Sequence, residues 1–176
     1  WEHSLLLQRA GLNTAALVAY GEDCGPLWEK FSFILTEAAT GRHTVQDFLK
    51  ECRDAKSRRR VFDELARTIR KMHDAGLASP DLFTRHLFVD ATATPPAFCY
   101  IDMARLDSKK PLSERTRARD LAALHVTSPL RFVSTRERVR FLKIYAGENT
   151  RGLAKLVEQR AVHLLQRRKF RDFAAE

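Results

Sequence analysis

The sequence predicts an α+β chain dominated by helices, and three observations carry that prediction. Two short apolar runs rich in aromatic and branched residues lie near the N-terminus, one long amphipathic stretch fills the middle, and helical patterns run from Arg115 to the end. The chain has 176 residues, enough for one ordinary domain. With 44% hydrophobic and 30% charged residues and only 7 Gly and 6 Pro, collagen-like, low-complexity and largely disordered chains are excluded.

The elements follow in order. Trp1, Leu5 and Leu6 have helical spacing and Gly11 closes that opening helix. Trp1 stands inside the apolar pattern with no capping residue ahead of it, which predicts a chain cut from something longer. Ala15 to Tyr20 reads as a strand ending in a turn at Gly21-Glu22-Asp23, and Phe31 to Thr36 alternates as a second strand. Thr44 with Asp47 resembles a capping box, opening a short helix through about Leu49. The strongest helix spans about Arg58 to Ala75, with Val61, Phe62, Leu65, Ile69 and Met72 on one stripe and Gly76 closing it.

Leu87 to Val89 and Ala97 to Ile101 then read as a hairpin joined by a loose Pro-containing connection. Ser134 and Glu137 form a capping box ahead of Val139, Phe141, Leu142 and Tyr145, and a last helix carries Leu153, Leu156, Val157, Leu164 and Leu165. There is no internal repeat.

Lysine plus arginine number 31 against 22 aspartates and glutamates, a net +9, so the expected partners are anionic: nucleotide phosphates, nucleic acid or an acidic membrane face. Nucleic acid is set aside because no helix-turn-helix spacing, RNP-like aromatic motif or zinc finger occurs. The basic C-terminal stretch, Arg160, Arg167, Arg168, Lys169 and Arg171 with Leu164, Leu165, Phe170 and Phe173, reads either as a solvated face or as a peripheral contact with an anionic membrane. Cys24, Cys52 and Cys99 are odd in number and lack a C-x-x-C pair, so reduced thiols in a cytoplasmic compartment are expected. No stretch approaches the roughly 18 apolar residues of a membrane span.

Acidic and imidazole groups concentrate in one place. The loop after the long helix reads Leu77-Ala-Ser-Pro-Asp-Leu-Phe-Thr-Arg-His86, and the hairpin's second strand ends in Ile101-Asp102-Met-Ala-Arg105. A carboxylate at a strand end beside a loop suits a metal ligand or a general base. If the hairpin closes, Asp81, His86 and Asp102 converge on one pocket, giving ligands for Mg²⁺ and a carboxylate to orient a hydroxyl. The plainer readings are a turn or cap aspartate at Asp81, a satisfied histidine at His86, and an Asp102 that ends a strand and pairs with Arg105 on the surface. His73 and His163 are expected in the core.

Here the sequence resembles the lipopolysaccharide core kinases, the Kdo and heptose kinases of the protein-kinase-like fold. Met72-His73-Asp74-Ala75-Gly76 leading to Ser79-Pro80-Asp81-Leu82, with His86 five residues after Asp81, matches the family's catalytic loop, except that Ser79-Pro80 stands where the family has His-Arg. Ile101-Asp102-Met103-Ala104-Arg105 matches Ile-Asp-x-x-Arg, at the place of the Asp-Phe-Gly motif. Arg119-Asp120-Leu121-Ala122-Ala123-Leu124 follows, then Arg140-Phe141-Leu142 with Tyr145 and Gly147.

The resemblance implies the hinge and helical C-lobe of a protein-kinase-like fold. Residues 1–37 would be an N-lobe remnant and 38–176 the C-lobe. It implies that Asp81 is catalytic, that Asp102 and His86 hold Mg²⁺, that Asp120 braces the catalytic loop, and that the backbone of Glu37 and Ala39 pairs with the adenine of ATP. The glycine-rich loop, strand lysine and helix glutamate would precede Trp1. The acceptor would be a lipid-linked sugar of the lipopolysaccharide core, at a cytoplasmic site peripheral to the inner membrane. Two other readings stay open: another small-molecule phosphotransferase of aminoglycoside or choline type, and a degenerate, non-catalytic kinase-like binding module.

Overall fold

The computed structural model describes residues 1–25, 28–41, 43–128, 131–167 and 170. Arg168, Lys169, Arg171 and Phe173 of the basic C-terminal stretch lie outside them. The chain opens with helix α1 (Glu2–Arg9), a two-residue strand β1 (Asn13–Thr14), and the strands β2 (Leu17–Cys24) and β3 (Glu29–Thr36). Strand β4 (His43–Thr44), helices α2 (Val45–Glu51) and α3 (Ala55–Asp74) and strand β5 (Leu77–Ala78) come next. A 3-10 turn (Thr84–His86), the hairpin β6 (Leu87–Asp90) and β7 (Ala97–Tyr100), and strand β8 (Asp107–Ser108) precede the helices α4 (Glu114–Val126), α5 (Thr135–Ala146) and α6 (Thr150–Leu165).

Helix α3 is the central element. Asp54 caps it, its carboxylate accepting from the backbone N–H groups of Lys56 and Ser57. The expected stripe of Val61, Phe62, Leu65, Ile69 and Met72 is fully buried, together with His73. It packs against Phe141 and Tyr145 of α5, while α4 and α6 contribute Leu121, Ala122, Leu153, Val157 and Leu164 to the same core. Arg58 ties the first turn of α3 to its surroundings, donating to Glu137 of α5 and to the carbonyls of Leu49, Cys52 and Phe132. The capping box at Ser134 and Glu137 is formed on both sides. Gly76 ends the α3 turn at φ +83, where an added Cβ would sit 3.0 Å from the Lys109 carbonyl oxygen, so the turn into the next strand and the loop beyond it requires glycine.

The strands form three small sheets. Strand β7 lies between β1, which it meets in parallel, and β6, which it meets antiparallel with Leu87 opposite Tyr100; β4 closes the far edge. Strand β5 pairs with β8. Strands β2 and β3 form a separate antiparallel ribbon. The turn expected at Gly21-Glu22-Asp23 is instead strand: β2 runs on to Cys24, because residues 20–23 pair in register with Phe31 to Ile34. The ribbon carries large apolar side chains out in solvent, with Val18 58%, Phe31 60% and Ile34 52% exposed.

His163, expected in the core, is exposed, because α6 turns Val157, Ala161 and Leu164 inward and His163 falls on the opposite face. His73 is buried as expected, and His125, for which the sequence carries no pattern, is half-buried on α4. Its Nδ1 lies 2.7 Å from Arg138, and burial together with that cation lowers its pKa to about 4. A base whose folded pKa lies below its unfolded value destabilises the fold as pH falls from about 6.5 to 4, since the unfolded chain then binds the extra proton. Urea unfolding should therefore show a loss of up to about 3 kcal/mol across that window, and His125→Gln should flatten the slope. An unchanged slope would place the acid sensitivity elsewhere.

Candidate active site

Three segments meet at the end of α3. The first is the loop between β5 and β6, whose shape is set from below. Asp120 of α4 is fully buried and its Oδ2 accepts from the backbone N–H of Ser79 at 2.6 Å. The same carboxylate receives Arg119 Nε at 2.8 Å and faces His73 Nε2 at 3.3 Å. Tyr145 closes the network from α5, its hydroxyl 2.6 Å from His73 Nδ1. Burial raises the Tyr145 phenol to about 12, so it stays protonated and donates to that nitrogen. One buried carboxylate thus fixes the loop backbone two residues before Asp81.

The loop then coils on itself. Ser79 Oγ accepts from the Asp81 N–H at 3.3 Å, Phe83 N–H donates to the Asp81 carbonyl at 2.7 Å, and His86 N–H donates to Phe83. His86 is nearly buried, and its Nδ1 lies 2.9 Å from the Asp81 carbonyl oxygen, to which it donates. That bond leaves the Nε2 lone pair facing outward, where Arg85 Nε donates to it at 3.1 Å and Asp102 Oδ2 lies 3.4 Å away.

Asp102 stands two residues past the end of β7 and sits at φ +53, in the left-handed region. Arg105, on the same turn, reaches back to Asp81: its Nε and Nη2 engage both carboxylate oxygens, and this raises the guanidinium pKa. The plainer reading of a surface pair between Asp102 and Arg105 gives way to a pair between Arg105 and Asp81.

The structure brings Asp81, His86 and Asp102 into one contact chain. Glu37 and Ala39 stand apart from it. Neither lines the adjoining cleft, and the Glu37 N–H donates to the Ala16 carbonyl at 2.8 Å, although the neighbouring Thr36 does line it. That cleft has a volume of about 550 Å³ between the β2–β3 ribbon, with Tyr20, Phe33 and Thr36, and a floor of Ile101, Asp102 and Met103. Trp1 stacks on Tyr20 at its mouth, ring centroids 4.9 Å apart.

Sequence reasoning missed Arg105 as the partner of Asp81, and it missed Arg85. Only the closure of the hairpin brings the 24-residue separation between Arg105 and Asp81 within reach.

Asp102 and His86 are the residues that would hold a divalent cation, and His86 could serve only if Arg85 released its Nε2. Among the described residues no group of three or more His, Cys, Asp or Glu is placed to hold a metal ion, so Asp81 does not join Asp102 and His86 as a third ligand. No described helix is long and apolar enough to cross a membrane.

A β-ribbon over a cleft, a loop aspartate braced by a helix aspartate, and a second aspartate after a hairpin define a phosphotransferase of kinase-like fold. The chain belongs to the lipopolysaccharide kinase (Kdo/WaaP) family, whose sequence model matches residues 2–145. It is 28% identical to the lipopolysaccharide core heptose(I) kinase WaaP of Pseudomonas aeruginosa over 96% of this chain and 68% of that protein. It is 27% identical to the enzyme of the same name from Escherichia coli K12, over 89% of this chain and 62% of that protein. A solved structure of WaaP in complex with acyl carrier protein superposes with a TM-score of 0.75 at 26% identity, covering 94% of this chain and 75% of the other. The chain therefore spans about two thirds of the length of these relatives. As members of a kinase family they use ATP.

Proposed function

We propose that this chain carries the catalytic lobe of an enzyme that transfers the γ-phosphoryl group of ATP to a hydroxyl of a Kdo or heptose sugar in the lipopolysaccharide core. The observation that carries the reading is the contact chain itself: His86 touches the Asp81 backbone through one ring nitrogen and approaches the Asp102 carboxylate with the other. In the transfer an acceptor O–P bond forms, the bond from the γ-phosphorus to the bridging oxygen breaks with its electron pair leaving on ADP, and Asp81 takes the hydroxyl proton. Asp102 and His86 are the residues that would hold Mg²⁺, which when bound neutralises phosphate charge. The adenine would pair with the Glu37 carbonyl and the Ala39 backbone, which follow Thr36 of the cleft wall, since the Glu37 N–H is already given to Ala16.

The loop geometry favours this reading over a non-catalytic module. Ser79 and Pro80 replace the family's His-Arg, yet Ser79 is buried, bonded to Asp120, and accepts from the Asp81 N–H. The substitution thus leaves the loop organised around Asp81. The lipid-linked acceptor and the net charge of +9 suit a cytoplasmic site peripheral to an anionic membrane. An acyl carrier protein partner, as in the solved WaaP complex, belongs to the same proposal.

The test is transfer of ³²P from γ-labelled ATP to lipopolysaccharide core acceptor by the full-length protein. Labelled sugar in Mg²⁺ and none after EDTA is the expected result. Nucleotide binding without any labelled sugar would overturn the reading in favour of the binding module.

A further inference from the structure

Arg105 grips both carboxylate oxygens of Asp81 in a forked ion pair. If Asp81 is to take a proton from an acceptor hydroxyl, that grip is an obstacle. Two charge-assisted N–H bonds favour the ionised carboxylate, weaken it as a base and occupy the positions a hydroxyl must reach. The pair therefore has to open before the acceptor is received.

It is built to open. The Arg105 side chain is 58% exposed while that of Asp81 is 16%, so the guanidinium reaches the pair from the solvent side and can leave by the same side. Arg105 does not line the cleft, but it lies beside it in the chain. Among the described residues lining the cleft there is no lysine or arginine, while Asp102 adds a negative charge to its floor. Ala104 lines that cleft, and Arg105 is the next residue along the chain. A triphosphate entering there brings several negative charges and planar groups of oxygens that a guanidinium binds in the same forked manner as a carboxylate, with greater charge.

We propose that Arg105 is a further catalytic residue: it leaves Asp81 for the γ-phosphoryl oxygens as the nucleotide enters. One side-chain movement then does two things. It bares the Asp81 oxygens for the hydroxyl proton, and it brings positive charge to the equatorial oxygens where charge develops while the acceptor O–P bond forms and the bond to the ADP oxygen breaks. The inference rests on the kinase reading above and adds to it a partner exchange by one cation.

The experiment compares wild type, Arg105→Ala and Arg105→Lys in the full-length protein. Arg105→Ala should melt close to wild type and lose about 10²–10³-fold in kcat with little change in KM for ATP. Arg105→Lys should keep part of the activity. Millimolar guanidinium ions should restore part of the kcat of Arg105→Ala and none of that of Asp81→Asn. Independently of turnover, ADP should bind the alanine variant as it binds wild type, while ADP with aluminium fluoride, a mimic of the transferring phosphoryl group, should lose its extra affinity. Unchanged or raised kcat in Arg105→Ala, or full retention of the aluminium fluoride affinity, would overturn the proposal and leave Arg105 a structural tie. A wild-type protein that binds ADP but transfers no phosphate overturns the kinase reading instead, and this inference with it.

Discussion

Asp81→Asn should lower phosphoryl transfer by about 10²–10⁴-fold while leaving nucleotide affinity nearly intact, and Asp102→Asn should abolish transfer by a different route. Both changes are isosteric, so they remove charge and basicity without opening a cavity. Asp81 does not face the cleft floor; its carboxylate points to Arg105, and its backbone is held by Ser79 and His86. Removing its charge therefore spares the nucleotide, while it costs the proton acceptor and the ion pair with Arg105. Asp102 lines the cleft and stands beside His86 Nε2. Its loss should weaken binding of ATP in Mg²⁺ and leave the much weaker metal-free binding unchanged. Steady-state kinetics and nucleotide titrations with and without Mg²⁺ separate the two. If Asp81→Asn turns over like wild type, the catalytic assignment is wrong.

Asp120→Ala should cost about 3–5 kcal/mol of folding stability, a large share of the roughly 5–15 kcal/mol that holds an ordinary domain together. The side chain is wholly buried and serves Ser79 N–H, Arg119 Nε and His73 Nε2 at once. Alanine leaves all three donors without an acceptor in a place water does not reach. Asp120→Asn keeps one carbonyl oxygen for the Ser79 N–H and should lose about 1–3 kcal/mol. Urea midpoints measure both. A loss below about 1 kcal/mol for the alanine variant would show that the loop is held by other means.

The helices were legible because their signals are local. The stripe on α3, the capping box at Ser134 and the glycine at position 76 each fix an element from residues within one or two turns. The hairpin of β6 and β7 was legible for the same reason. The two-residue strands β1, β4, β5 and β8 were not, since they exist only through pairing with distant segments and carry no periodicity of their own. The length of β2 was misjudged at Gly21, which reads as a turn but pairs with Phe33 inside the ribbon.

At the site, the spacing of Asp81 and His86 placed both on one loop, and Asp102 was reached by its position at a strand end. The direction of Arg105 was not readable, because it depends on the left-handed turn at Asp102. His163 falls on the solvent face of α6 and not in the core, because on an amphipathic helix a single helical step decides which side chain is covered.

That left-handed turn has an outcome for how such a molecule changes over generations. At φ +53 the main chain prefers a residue without a side chain, so Asp102→Gly would relax the loop and harden the protein against heat. The same exchange deletes the carboxylate next to the histidine. Durability and activity therefore pull on this position in opposite directions, and a lineage released from its chemistry would be free to drift toward glycine there.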